Sequence, residues 1–307
     1  MADVTDLTDM TDAGYMIDYS ARHDVLILDE DGTLRPMDEP YFRAKKVAGD
    51  TWQILSDGDF SYLAAGTDHA ISIDTGYGAG NIREFEQTLT PVPVRFAANT
   101  HDHFDHTAGN AYFEAVYMSR ETQPLAGIPY PSFEGISFPK AKKVLTIGDG
   151  DVIELGDRRL EAIFMPDHAV GSLLFLDRKM RILFAGDEVQ DFKRVNGNVS
   201  RVRDQLKRLA GLRSEFDMIC AGPGIFPADI VEDLYKCAEL ILSGSEGERV
   251  SAGHFEPLLV PGYEGRTIYK RRGARKEDLP AGFDREDPNK RIIRFGKAAL
   301  LYDVNLR

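Results

Sequence analysis

Within residues 100–110, His101, His103 and His106 alternate with Asp102 and Asp105, so three of the chain's seven histidines fall within six consecutive positions. Imidazole nitrogen and carboxylate oxygen suit zinc and its first-row neighbours. A loop carrying His101, His103, Asp105 and His106 can present such ligands to one ion or two. A metal held by neutral imidazoles with one coordination position open lowers the pKa of its water from 15.7 towards about 7, which makes hydroxide available at neutral pH. The same ion polarises the carbonyl or phosphoryl oxygen that it faces. Asp105, adjacent to His106, can orient the water, serve as general base or bind a second ion.

Side chains of this kind must be carried by a scaffold, and short apolar runs supply one. Val94–Ala98 precedes His101, residues 160–165 precede His168, and residues 181–185 precede Asp187. All three therefore read as strand-end residues. A fourth run, 216–221, ends on the same rim. Loops over a rigid scaffold bring distant residues together in this way. Around these runs, residues 24–29 with the turn that follows predict a hairpin. Residues 45–55, 60–65 and 69–74 predict an antiparallel meander, and 79–89 a helix with Ile82, Phe85 and Leu89 on one face. A short helix is expected over 108–113, and longer ones over 199–212 and 228–242. Two strands near 291–295 and 298–302 are expected to extend a sheet.

Residues 119–143 hold four prolines and little periodicity. An unstructured loop of that length is usually functional, so it reads as a lid or substrate wall, with Tyr130, Phe133 and Phe138 available to line an apolar pocket. Residues 1–20 predict a partly ordered lead, 21–307 a single domain, and 249–307 a C-terminal extension completing the sheets. The basic run 270–276 reads as solvated surface, with an anionic substrate or partner as the alternative.

Net charge separates classes of partner. Lys plus Arg 37 against Asp plus Glu 50 gives −13, which opposes general affinity for nucleic acid or anionic membrane. No apolar run approaches the roughly 18 residues of a membrane span, and the first residues lack the basic start and apolar core of a signal peptide, so a cytoplasmic location is the default expectation. Two cysteines, Cys220 and Cys237, give no disulfide framework and read as small buried hydrophobes in a reducing compartment. Cys220 has a second reading as a thiolate ligand.

The pattern His101-x-His103-x-Asp105-His106 resembles the signature loop of the metallo-β-lactamase-fold hydrolase superfamily. Residues 71–78, with Asp74 and its glycines, are similar to the strand that supports this loop. Residues 166–172 resemble the segment carrying the next histidine, His168, and residues 184–187 the one ending in a bridging aspartate, Asp187. The similarity runs over about 47–242. It implies an αββα four-layer sandwich. It also implies a first metal site of His101, His103 and His168 with Asp187, and a second of Asp105, His106 and a share of Asp187. Asp74 and Asp102 are candidates to hold the far N–H of a ligating imidazole. One departure stands out: Ile225 occupies the place of the superfamily's last histidine ligand, which predicts a complete first site and a depleted second. His254 is the candidate replacement, while His23 and His69 read as structural.

The function implied is hydrolysis of an ester, lactone, thioester, amide or phosphodiester bond in a small molecule, with one or two zinc ions and manganese or iron as alternatives. Fold does not choose among these substrates. Two further readings stay open. One is a mononuclear-iron oxidoreductase of the same fold, and the other a binding protein whose site decayed at Ile225. Relatives of this kind are often homodimers.

Overall fold

The computed structural model describes residues 42–56, 60–78, 80–128, 139–250 and 288–307, together with the backbone of three short strands before residue 42. The first half is built from β1 (Met16–Asp18), the hairpin β2 (Leu26–Leu28) and β3 (Leu34–Pro36), β4 (Phe42–Ala48), β5 (Thr51–Leu55), β6 (Phe60–Ala65) and β7 (Ala70–Ile73). Then come α1 (Ile82–Leu89), β8 (Val94–Ala98), α2 (Phe104–Thr107), β9 (Ala115–Met118) and β10 (Val144–Thr146). All these strands but β2 and β3 form one sheet in the order β1-β4-β5-β6-β7-β8-β9-β10. It is antiparallel through β7 and parallel from β7 to β10.

The second half comprises β11 (Val152–Glu154), β12 (Arg159–Phe164), β13 (Leu173–Asp177), β14 (Ile182–Gly186), β15 (Phe192–Arg194), α3 (Val199–Ala210), β16 (Met218–Ala221) and β17 (Gly224–Pro227). These are followed by α4 (Ile230–Leu242), β18 (Glu248–Arg249), β19 (Lys290–Phe295) and β20 (Ala298–Asp303). Strands β11-β12-β13-β14-β16-β17 make the second main sheet, and β15-β20-β19-β18 a third, smaller one.

Period-two alternation explains the layering. Tyr62, Ala64, Ile71 and Ile73 from the first sheet meet Phe175, Ile182 and Phe184 from the second in one buried cluster. The intervening residues Leu63, Ala65 and Ala70 pack with Ile82 and Phe85 of α1 and Phe104 of α2. On the far side, Leu174, Leu176, Leu183 and Ala185 pack with Val202 and Leu206 of α3 and Leu234 and Cys237 of α4. Both sheets are thus covered on both faces, which is why their strands read as continuous apolar runs. The result is the expected αββα sandwich. Each fully buried Leu, Ile or Phe contributes about 1.5–3 kcal/mol of transfer free energy to it.

Several expectations need adjusting. Residues 45–55 hold the end of β4 and the whole of β5, because Gly49 at φ +50° turns the chain between them. The helix near 108–113 begins instead at Phe104, inside the histidine loop, and residues 110–112 form a single tight turn. Strands β19 and β20 join neither main sheet. They pair with β15 and β18 and cover α4, where Leu300 and Tyr302 enter its core cluster. Cys220 points into the cluster between the main sheets, where burial pushes its thiol up, so it serves as a small core residue. His69 packs edge-on against Phe96. Residues 129–138, with Tyr130, Phe133 and Phe138, lie outside the described residues, as do His23, His254 and 270–276.

Candidate metal centre

Parallel pairing fixes where the strands end. Ile73 is in register with Ala98, and Gly186 with Ala221, so the turns carrying Asp74, His101, Asp187 and Gly222 leave their sheets side by side in pairs. The sheets are tied together at this rim by the Leu173 N–H donating to the Thr100 carbonyl at 2.7 Å. Helix α2 then turns the chain back, so that His103 precedes it while Asp105 and His106 lie in its first turn.

One ligand atom each from His101, His103, His168 and Asp187 lies within 4.8 Å of the others. His168 Nε2 is 3.0 Å from His103 Nδ1 and 3.5 Å from Asp187 Oδ2. His106 Nε2 is 3.7 Å from Asp187 Oδ1 and 4.0 Å from Asp105 Oδ2. Buried polar atoms are normally hydrogen-bonded. Yet His101 Nε2, His106 Nε2 and Asp187 Oδ1 are buried without a hydrogen-bond partner, and all three belong to this cluster. A cation among them satisfies all three, so the residues present fit a metal.

Asp74 prepares two of the imidazoles. Its carboxylate accepts the Thr100 N–H and the Thr100 hydroxyl, both at 2.7 Å, and faces His106 Nδ1 at 2.9 Å. The hydroxyl proton of Thr100 is thereby committed, so His101 Nδ1, 3.0 Å from the same oxygen, must be the donor there. His106 Nδ1 likewise donates to Asp74. In the neutral rings this network assigns both tautomers and leaves both Nε2 lone pairs facing the cluster. Asp74 adopts φ +61°, a conformation that side chains seldom take, and the Ser72 hydroxyl donates to its carbonyl at 2.8 Å. Asp102, read from sequence as a second such support, makes no hydrogen bond to any ring; the far nitrogens of His101 and His106 are already occupied.

The electrostatics follow from burial and crowding. Burial, then the neighbouring His106, holds His101 well below the ordinary histidine pKa, and burial with His168 lowers His103. Burial works against charge on His106 too, but Asp74, Asp187 and Asp105 outweigh it and hold that ring well above its usual value. Burial would raise Asp187, but His106, His168 and His101 pull it well below the carboxylate range. His101 and His103 are thereby kept neutral, as ligating imidazoles must be, while Asp187 is kept ionised.

The hairpin of β16 and β17 closes one side. A Cβ on Gly222 would lie 2.2 Å from Asp187 Oδ1 and 3.2 Å from His106 Cε1. The buried Tyr62 hydroxyl donates to the Ala221 carbonyl at 2.7 Å and pins this turn. Ile225 sits on β17 opposite Cys220 and is 41% exposed, an aliphatic side chain that offers no ligand. Gly222, Thr100 and Tyr62 escaped the sequence reading. Thr100 alone carried a signal, as a hydroxyl adjacent to a ligand histidine.

Residues 57–254 match the sequence profile of the metallo-beta-lactamase superfamily, more than half of the chain. The chain belongs to that superfamily. Acyl-coenzyme A thioesterase MBLAC2 of Gallus gallus is 29% identical over 215 residues, 59% of this chain and 77% of that one. The Homo sapiens protein of the same name is 29% identical over 218 residues, 59% and 78% of the two chains. Hydroxyacylglutathione hydrolase of Maricaulis maris (strain MCS10) is 29% identical over 126 residues, covering 40% of this chain and 46% of its own length. Among solved structures, a metallo-beta-lactamase from Pontibacter korlensis superposes with TM-score 0.53 at 17% identity, over 64% of this chain and 99% of its own. One from Erythrobacter litoralis gives 0.53 at 16% identity, over 65% and 96%. These two likenesses show the fold. Family and enzyme relatives together make this superfamily member a metal-dependent hydrolase. Among the described residues no helix is long and apolar enough to cross a membrane.

Proposed function

We propose that this hydrolase cleaves acyl thioesters of small molecules, of the acyl-coenzyme A or acyl-glutathione kind, around one firmly held metal ion. The observation that carries the metal reading is the convergence of His101, His103, His168 and Asp187 with buried, unpartnered ligand atoms. The thioester reading is supported by the names of both groups of relatives. His101, His103, His168 and Asp187 would hold the ion. When bound, it supplies a Lewis acid and lowers the pKa of water towards about 7.

The remaining chemistry falls to side chains. Asp105 lies 4.0 Å from His106 Nε2 and is 13% exposed, and it accepts the proton of the attacking water. A thiol with an ordinary pKa near 8.5 departs as thiolate, so a strong general acid is dispensable. Exposed Leu125, Ile128 and Val170 on loops, with Ile225 on β17, flank the candidate ligands and suit the acyl group. The turn over 122–128 is anchored there by the Gly127 N–H on Thr107 Oγ1 and by Thr122 Oγ1 on the Gly171 carbonyl.

A second ion would find only Asp105, His106 and a shared Asp187, with Ile225 beyond them, so the first position dominates. Three imidazoles and a carboxylate suit zinc, and they exceed the two histidines and one carboxylate of an iron oxygenase. Zinc, a cytoplasmic location and small-molecule partners complete the proposal, on the grounds of donor set, cysteine usage and charge. The test is thiol release from acyl-coenzyme A and hydroxyacyl-glutathione by the purified zinc-loaded protein. Release that disappears in His168→Ala is expected; oxygen esters or lactams cleaved in preference to both thioesters would overturn the reading.

A further inference from the structure

Behind His168 lies a buried ion cluster that takes no part in holding the metal. Lys193 on β15, Glu188 directly after Asp187, and Asp167 directly before His168 have side chains no more than 2% exposed. Lys193 Nζ is 2.8 Å from Glu188 Oε2 and 2.9 Å from Asp167 Oδ2. The other Glu188 oxygen accepts the Asp167 N–H at 2.9 Å and the His168 N–H at 2.6 Å. Asp167 Oδ1 accepts the Gly197 N–H at 2.9 Å, and the Asn196 amide donates to the His168 carbonyl at 3.0 Å.

Removing three charges from water is costly, and packed apolar side chains in their place are often neutral or stabilising. Stability alone therefore gives no reason for this cluster. Its bonds have a common destination, which is the backbone around two ligand residues. Glu188 is the pivot, because its main chain continues from Asp187 while its carboxylate grips the amide of His168. The turns after β12 and β14 are thus fastened to each other through one side chain. Lys193 orients that carboxylate, and is itself placed by the pairing of β15 with β20, opposite Leu300.

We propose that Lys193, acting through Glu188 and Asp167, is a positioning residue that holds His168 and Asp187 at the separation a bound metal ion requires. This rests on the reading of His168 and Asp187 as ligands. Without the ammonium, the two carboxylates face each other unpaired, the 166–168 turn shifts, and the 3.5 Å approach of His168 to Asp187 is lost.

The experiment uses the full chain and two readouts, zinc affinity by chelator competition and the visible absorption of the cobalt(II)-substituted protein. Lys193→Met and Glu188→Gln are expected to weaken zinc binding by about 10–100-fold and to alter the cobalt spectrum, as loss of outer support to a metal ligand does. Arg158→Met is the control. It breaks an equally buried pair with Asp177 and removes the bonds that the Arg158 guanidinium donates to Thr51 Oγ1 and to the Asp50 and Ala65 carbonyls, and it should lower Tm while leaving both metal readouts unchanged. Should Lys193→Met fail to fold, Glu188→Gln decides, since it keeps the side-chain volume. Wild-type metal binding in Glu188→Gln and any folded Lys193→Met, or equal weakening in Arg158→Met, would overturn the proposal. His168→Ala separates the two levels: zinc kept there refutes the ligand reading itself, whereas zinc lost there but kept in Lys193→Met refutes only the positioning role.

Discussion

Asp74 touches three groups and fixes the protonation of two metal-facing imidazoles, so its own chemistry can be tested without touching a ligand. Asp74→Asn keeps the shape and tolerates φ +61°, but it turns an amide N–H towards groups that need an acceptor. Metal affinity is expected to fall about 10–100-fold with little change in fold, as measured by chelator competition beside circular dichroism. Unaltered affinity would mean that the tautomers are set elsewhere. A second buried carboxyl lies behind it. Glu86 Oε1 is 2.6 Å from Ser72 Oγ while Oε2 has no partner, and burial raises this group well above the ordinary range against a smaller pull from Ser72. With the folded-state pKa raised, the stability linked to Glu86 is full below an unfolded value of about 4.3 and is lost as pH rises towards the folded value. Glu86→Gln removes that loss. Its gain in Tm should therefore be largest above neutrality and vanish as the pH falls towards about 4.3; a gain independent of pH would contradict the account.

At the scale of elements, the centre depends on how closely the β16–β17 hairpin approaches β14. Gly222 permits this by having no side chain. Gly222→Ala places a methyl group against Asp187 Oδ1 and must displace either the carboxylate or the hairpin. Displacements near 1 Å can cost about 100-fold in rate, so hydrolase activity should fall by that order while the αββα core persists. Activity equal to wild type would show that the hairpin yields freely. Many elements were legible in sequence because two-sided burial produced unbroken apolar runs in β6, β7 and β14. The helix α2 was not, since its few residues are chosen for ligation rather than for an apolar stripe. β15 and β17 were equally hidden, because each is defined by a partner distant in sequence or by a glycine-rich turn.

Across the whole molecule, candidate ligands separated by up to 86 residues, from His101 to Asp187, meet because two sheets end on one rim. The third sheet reaches the same place from behind through Lys193. The ligand residues could be read from their types and from the apolar runs before them. Beyond Asp74 and the hydroxyl of Thr100 their supports could not, since Glu188 and Lys193 look like ordinary polar residues until the fold buries them. The consequence of Ile225 likewise needed the structure, which shows an aliphatic group on β17 where the resemblance expects an imidazole. The most direct test of the central claim is metal content by elemental analysis on protein purified without added metal, with His168→Ala and Ile225→His alongside. The account predicts about one zinc ion per chain, lost with His168→Ala and rising towards two with Ile225→His, as a restored imidazole ligand would allow. Two firmly held ions in the unaltered chain, or an ion that survives His168→Ala, would contradict it.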